Sequence, residues 1–286
     1  MCDPSAVLEW GPDRVGDLVA LTETALPDEH LTIDELLACC WEDPGVVLGS
    51  PDGSGAVAAV VRRFGEHAAA FVKVVVVAPE RHRQGVGRSL LRAAEEWAWD
   101  EGASDVHLCG SAPAYLWPGV DVRATAMLCL AEADGYEETG AAFDMSVPAA
   151  FRHPVPVGVD VRRTLADDDA RAVDELVARE WPNWLDEQRR ATEQGTCLAA
   201  FDLGTGEAVA FACHSVNRAG WFGPTATRPS HRHRSIGLAL LSEVCTDLMV
   251  AGFSEVEICW IGPVGFYAAA GGAISRVYRT SRRPKP

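Results

Sequence analysis

Two stretches of this chain, Pro79 to Gly110 and Pro229 to Trp260, align without a gap at an offset of 150 residues. The offset pairs Pro79 with Pro229, Gly87 with Gly237, Leu90 with Leu240 and Leu91 with Leu241. It also pairs Gly102 with Gly252, Val106 with Val256 and Cys109 with Cys259. Glycines that shape turns and apolar residues that pack recur together, which marks a duplicated structural unit. The spacing predicts two copies of one domain, residues 1–150 and 151–286, each of ordinary domain size. The expected linker is Ser146 to Asp160, where Pro148, Pro154 and Pro156 interrupt periodicity.

Each copy reads alike. In the first, "AVLEW" is a short strand, and "DRVGDLVALTETAL" and "TIDELLACCWED" are helices with acidic residues near their starts. "GAVAAVVRRF" and "AAAFVKVVVVA" are strands, being apolar and β-branched. Gly85 to Glu101 is an amphipathic helix that places Val86, Leu90, Leu91, Ala94, Trp97 and Ala98 on one face. "SDVHLCG", "TAMLCLAEADG" and "YEETGAAFDMSV" read as strand, helix and strand. The second copy opens with "VGVDVRRTL" and continues with a helix capped by Asp167. A second helix follows, then a hairpin around Gly204 and Gly206, the strand "WFGPTATR", the long helix Ile236 to Val250 and the strand "SEVEICWIG". The expected fold class is α/β (α+β), a mixed sheet flanked by helices in each copy.

Charge narrows the function. With 41 acidic residues against 25 Lys plus Arg, the net charge of -16 repels phosphate backbones and argues against a nucleic-acid partner. The start, "MCDPSAVLEW", has neither the basic nor the apolar region of a signal peptide. No apolar run reaches the roughly 18 residues of a membrane span. The nine cysteines lack C-x-x-C or zinc-type spacing, so no metal is expected; Cys129, Cys213 and Cys245 read as small core residues. A reducing cytoplasm is the expected setting, and a monomer or homodimer the expected state.

Against that acidic background, "RHRQGVG" (Arg81 to Gly87) concentrates basic residues between a strand and a helix. Free amides at a helix start attract anions, and glycines let a ligand approach the backbone. Charge-assisted hydrogen bonds from Arg81, Arg83 and Arg88 would each add about 1.5–3 kcal/mol. The spacing is neither a Walker loop nor a Rossmann fingerprint. The second copy repeats the arrangement as "SHRHRSIG".

"VAPERHRQGVG" (Val77 to Gly87) and "TRPSHRHRSIG" (Thr227 to Gly237) resemble the V-x-P-x-x-R-x-x-G-x-G signature of the GNAT acyltransferase superfamily. The resemblance implies two tandem GNAT-like domains, each with a splayed mixed sheet, as in two-domain bacterial acetyltransferases of mycothiol synthase-like architecture. It implies acetyl-CoA, or another acyl-CoA, as cofactor. Val75 and Val77, or Thr225 and Thr227, would meet pantetheine through the backbone. Arg83, Gln84, Gly85, Val86, Gly87 and Arg88 would hold pyrophosphate in copy one. Arg232, His233, Arg234, Ser235, Ile236 and Gly237 would do so in copy two, where Ser235 replaces the first glycine.

Acyl transfer to an amine needs a neutral nucleophile, a donor to the oxyanion and an acid for the leaving thiolate. By the same resemblance, "GFYAAAGG" puts Tyr267 in the acid position; an ordinary tyrosine, with pKa near 10, is protonated at neutral pH. Copy one has Leu130 and Ala131 in that slot, with Tyr115 a weak substitute. Glu257 and His214 lie on strands of copy two as candidate bases, beside structural roles or a relay through bulk water. Of these, Glu257 is the catalytic candidate. The expected function is N-acetylation of a small-molecule amine, with copy two catalytic and no membrane partner. The alternatives are a degenerate acyl-CoA-binding regulator and a protein or peptide N-acetyltransferase.

Overall fold

The computed structural model describes residues 7–286. The chain divides into two compact units: the described part of Met1–Ala142 together with Val277–Pro286, and Phe143–Arg276. Residues of the opening decapeptide before Val7, including Ala6 of the expected strand "AVLEW", lie outside the described residues.

The first unit runs β1 (Leu8–Glu9), α1 (Val15–Ala25), α2 (Ile33–Cys40), β2 (Gly45–Gly49), β3 (Gly55–Phe64) and β4 (His67–Val77). It continues with α3 (Val86–Asp100), β5 (Asp105–Leu108), β6 (Val120–Asp121), α4 (Thr125–Ala133) and the start of β7 (Glu137–Pro148). Helix α2 begins at a full capping box: Glu35 N–H donates to Thr32 Oγ1 at 3.2 Å, and Thr32 N–H donates to Glu35 Oε2 at 2.9 Å. Strands β1 to β4 pair antiparallel in order, and β4 then pairs parallel with β5. One face of the sheet receives α3, whose Val86, Leu90, Leu91, Ala94 and Ala98 pack on Val57, Ala59, Val61, Ala70 and Val72. The other face carries α1 and α2, with Trp10, Leu18, Leu36 and Trp117 against Ala56, Ala58, Val74 and Val76.

A bulge makes that division possible. Ala58 pairs with Val74 while Ala59 pairs with Val72, so Lys73 is an extra residue in β4. Beyond it the alternation reverses, and Val75 and Val77 turn toward α3.

The second unit holds β8 (Val159–Arg163), α5 (Asp167–Glu180), α6 (Leu185–Glu193), β9 (Cys197–Asp202), β10 (Ala208–His214) and β11 (Trp221–Thr227). Then come α7 (Ile236–Val250), β12 (Glu255–Ile258), α8 (Val264–Ala268) and the start of β13 (Ala273–Pro284). Strands β8 to β11 pair antiparallel in order, and β11 pairs parallel with β12, as β4 does with β5. Helix α7 packs Ile236, Leu240, Leu241 and Val244 on one face, and Val173, Leu176 and Val177 of α5 pack on the other.

Two strands are divided between the units. Met145 to Pro148, late in β7, pair with Ile258 to Glu255 and complete the second sheet. Arg282 to Pro284, late in β13, pair with His107 to Asp105 and complete the first. The segment expected to be a linker therefore begins inside β7 and ends inside β8; Met145 and Val147 are buried just where the prolines begin.

Other expectations need correction. Asp167 is the first helical residue of α5, and Ala166 holds the cap position with no side-chain hydrogen bond. Cys129 is exposed on α4, because the apolar stretch around it has only one buried residue, Ala131; Cys213 and Cys245 are buried. The short strands β2 and β6 lack a sequence signal long enough to show alternation. Among the described residues no helix is long and apolar enough to cross a membrane.

The strand exchange has a mechanical test. Tyr278, on β13, is wholly buried in the core under α1 and α2. Tyr278→Ala is expected to destabilise the first unit by about 3 kcal/mol or more, read by urea unfolding. The tryptophan signal of that unit should unfold early, while hydrogen exchange in the second unit stays unchanged.

Candidate functional site

In each unit the parallel strand pair is short. Strands β4 and β5 stay in register from Ala69/Asp105 to Val72/Leu108, and β11 and β12 only through Trp221/Glu257 and Phe222/Ile258. Past those pairs the strands part. The first strand of each pair runs on through a 3₁₀ turn, Pro79–Arg81 or Pro229–His231, into the long helix.

The starts of the two long helices share one geometry. The cap residues Gly85 (φ 86°) and Ser235 (φ 60°) are left-handed, and neither makes a side-chain cap. Arg83 and His233 are left-handed as well, with φ of 59° and 62°. Helices α4 and α8 start without acid too, but α1, α2, α5 and α6 each carry acidic residues in the first turn, whereas α3 and α7 carry none. The positive ends of those two dipoles are therefore not neutralised by their own helices. A Cβ at Gly87 would come no closer than 3.5 Å to Val77, so protein packing alone does not require glycine there. A Cβ at Gly237 would meet the Phe266 ring at 3.1 Å.

The predicted cradle residues come together at these turns, with partners that sort them. Arg83, Gln84, Arg232, His233 and Arg234 are exposed, while the Val86 and Ile236 side chains point into the core. Gln84 donates to Glu80 O at 2.9 Å, and Arg232 Nε donates to Thr227 O at 3.2 Å. Arg88 is tied to the buried Asp134 at 3.0 Å, beside Arg92 at 2.9 Å. Val75 and Val77 are half-buried against α3. Thr225 donates its hydroxyl to Phe211 O at 2.9 Å, and Thr227 is half-buried.

Each loop also faces a hairpin carboxylate: Asp52 lies 3.3 Å from Arg81, and Asp202 lies 3.4 Å from His231 and 3.8 Å from Arg234. Hydrogen bonds from Ser54 hold the Asp52 carboxyl down at about 2, and backbone N–H groups of Gly204 and Thr205 lower that of Asp202. These aspartates stand at the same offset of 150, so the sequence repeat extends to them, outside the loop motif itself.

The units differ where the strands part. Lys73 and Gly223 occupy equivalent bulges. The Lys73 ammonium is fully buried, donating to Ser111 O at 2.9 Å and to Ala114 O, with Glu42 Oε2 at 3.1 Å. It fastens the long loop between β5 and β6 across the first bulge, where Leu116 and Trp117 of that loop join the core. Gly223 (φ 126°) has open space where a Cβ would stand, and only Cys259 to Pro263 separate β12 from α8.

The two predicted catalytic residues lie on α8 and β12 of the second unit. Tyr267, on α8, is 5% exposed and packs edge-on against Phe222 and Phe266, on the face covered by α7. Burial pushes its hydroxyl up to about 12. The Tyr267 slot in the first unit is Ala131, which is buried and without an acid. Glu257 is on the opposite face, since its neighbours Val256 and Ile258 face α7. Burial first, and then Asp144, raise its carboxyl to about 7. It lines a pocket of about 200 Å³ with Ser146, Trp221, Glu255 and Arg276 among its walls.

His214, the other candidate base, is turned to a structural pairing, 3.4 Å from Asp247 and 3.2 Å from Ser215 Oγ. Burial lowers its pKa against the pull of Asp247. Glu187 on α6 was not singled out by sequence; burial raises its carboxyl to about 7, and Asn217 donates to it at 2.9 Å. Among the described residues no cluster of three or more His, Cys, Asp or Glu could hold a metal ion.

Residues 16–114 match the acetyltransferase (GNAT) family. No curated protein sequence matches the chain significantly. Solved structures do. A tandem GNAT protein from the clavulanic acid biosynthesis pathway is 17% identical with a TM-score of 0.76, over 98% of this chain and 99% of that one. A GCN5-related N-acetyltransferase from Sphaerobacter thermophilus is 23% identical with a TM-score of 0.70, over 98% and 96%. A glucosamine N-acetyltransferase region of a fungal multi-domain β-N-acetylglucosaminidase is 18% identical with a TM-score of 0.78, over 97% of this chain; the chain spans 38% of that protein.

The two raised carboxyls set a pH dependence. A carboxyl whose folded pKa lies above its unfolded value of 4.5 opposes folding once ionised, so the second unit loses stability as pH rises from about 4.5 to about 7. Glu187→Gln is expected to remove part of that loss. Urea midpoints of variant and wild type at pH 5 and pH 8 check it: their difference should be larger at pH 8.

Proposed function

We propose that this chain, whose residues 16–114 match the GNAT family and whose fold resembles that of a tandem GNAT protein, is a tandem member of that superfamily and transfers an acetyl group from acetyl-CoA to a small-molecule amine, with chemistry in the second unit. The observation that carries the reading is the contrast between Gly223, which leaves its bulge open, and Lys73, which seals the equivalent bulge. The uncapped helix start of α7, free of acid in its first turn, suits the pyrophosphate of such a cofactor. Arg232, His233 and Arg234 would supply charge there, the Ser235 to Gly237 backbone the amides, and Thr225 and Thr227 the strand edge.

When bound, acetyl-CoA supplies an activated acyl thioester. The residues of this chain then divide the proton work by face. Glu257 takes a proton from the acceptor's ammonium nitrogen and leaves a neutral amine. Tyr267 holds its proton at Oη throughout the neutral range and offers it to the leaving sulfur. The overall change forms one C–N bond, breaks one C–S bond and releases one proton to water. The first unit keeps a cradle of Arg83, Gln84, Gly85, Val86, Gly87 and Arg88 but has no acid and a sealed bulge. Its share is cofactor binding without turnover, with Val75 and Val77 lining the strand. A cytoplasmic setting suits the free cysteines. The fungal region's glucosamine exemplifies a small, polar primary amine as acceptor.

Calorimetric titration of the chain with acetyl-CoA tests the premise, and Gly87→Glu and Gly237→Glu assign the sites. Binding is expected, and Gly237→Glu should abolish turnover. No binding up to millimolar cofactor would refute the reading. With a primary-amine acceptor, kcat/KM is expected to rise with pH to a plateau with an apparent pKa of about 7. Tyr267→Phe and Glu257→Gln should each lower kcat by about 10² or more. Unchanged turnover in either variant would remove that residue from the mechanism.

A further inference from the structure

Strand β7 delivers one side chain whose position is otherwise hard to explain. Asp144 is wholly buried. Its Oδ1 accepts the Trp260 N–H at 2.9 Å, just past the end of β12. The register pairs Met145 with Ile258 and Ser146 with Glu257, so Asp144 stands beside the end of β12, on the face that Glu257 shares. The two carboxyl groups are within hydrogen-bonding reach of each other. Glu257 Oε1 is itself buried and finds no donor. Two carboxylates this close cannot both ionise cheaply, and a single proton between them satisfies the orphan oxygen.

Resting on the assignment of Glu257 as proton acceptor, we infer that Asp144 is a positioning residue: it and Glu257 form a proton-sharing carboxyl pair, and Asp144 tunes Glu257 to accept a proton from the acceptor amine. The surroundings fit an asymmetric pair. Asp144 is anchored by a backbone amide and has the Cys259 thiol against it, a thiol pushed well up by burial and by Asp144. Glu257 instead lines the pocket with Ser146, Trp221 and Glu255, which gives its carboxyl a path to water. Arg218 and Arg276 favour its ionised form, opposing burial and Asp144, so its carboxyl rests at about 7. The step balances as one proton leaving the ammonium nitrogen for a Glu257 carboxylate oxygen, and later leaving Glu257 for water through the pocket.

Asp144 lies before residue 151, outside the sequence repeat that holds Tyr267 and Glu257. The proposed site therefore takes a residue from the other half of the sequence.

The test uses the full chain and infrared titration of protonated carboxyl groups, paired with pH–rate profiles. Asp144→Asn keeps the oxygen that accepts from Trp260 and removes the charge. The expected result is a carboxyl band that titrates in the neutral range in wild type and is missing in Glu257→Gln. In Asp144→Asn that band and the acid limb of the rate profile should both move down by a pH unit or more, with kcat lowered several-fold and the amine KM held.

If the wild-type minus Glu257→Gln difference shows no carboxyl titrating in the neutral range, the pair is overturned, whether or not Asp144→Asn folds. A folded Asp144→Asn protein whose band and limb coincide with wild type overturns it too. If the band moves but Glu257→Gln keeps the wild-type rate, the base assignment fails, and with it the role inferred for Asp144, while acetyl-CoA binding by calorimetry still judges the broader reading.

Discussion

The register of one strand in each unit governs what the rest of the unit can do. A single extra residue in β4, Lys73, and one at the same place in β11, around Gly223, reverse the alternation of the strand just where its parallel neighbour departs. Without the bulge, Val75 and Val77 would turn away from α3 and break the packing that places the helix start. The bulge thus links the aim of the long helix to the opening of the sheet. Because it sits at the opening, the side chain it carries decides whether the opening is filled. A lysine there is stable only because Ser111, Ala114 and Glu42 satisfy a buried ammonium. That requirement in turn fixes the loop over it.

The electrostatics are local despite the acidic chain. Each helix start keeps its first turn free of acid, yet each loop has an aspartate on the adjoining hairpin, Asp52 or Asp202, oriented toward a basic side chain. These carboxylates hold Arg81, His231 and Arg234 in place. Arg83 and His233 lie beside them as exposed residues. On the far face of the second sheet the balance reverses: burial and the neighbouring Asp144 raise the Glu257 carboxyl to about 7.

Much of this was legible in the residues. The long helices, their apolar faces and the glycine-bearing loops follow from local periodicity and spacing, and the offset of 150 carried one reading to the other copy. The same offset pairs Asp52 with Asp202 and Lys73 with Gly223, so those contrasts were present in the letters. What the letters could not show is pairing across distance. Met145 and Val147 read as an apolar approach to a proline-rich linker, and only the register with β12 makes them core. Asp144 reads as an acidic residue near a strand end, and its burial beside Glu257 depends on that same register. His214 and Glu257 looked alike as strand carboxylate and imidazole candidates; Asp247 on α7 separates them.

The division of β7 and β13 has a genetic consequence. Each half of the sequence carries the strand that closes the other half's sheet. Between two separate chains, each carrying one half, that arrangement would be a strand-swapped dimer. Joined in a single gene, the exchange becomes internal, and each copy is free to lose what the other supplies. A gene cut between residues 149 and 158 would yield two fragments that each lack a strand and each carry a spare one. Complementation in trans, not independent folding, is the behaviour such fragments would show.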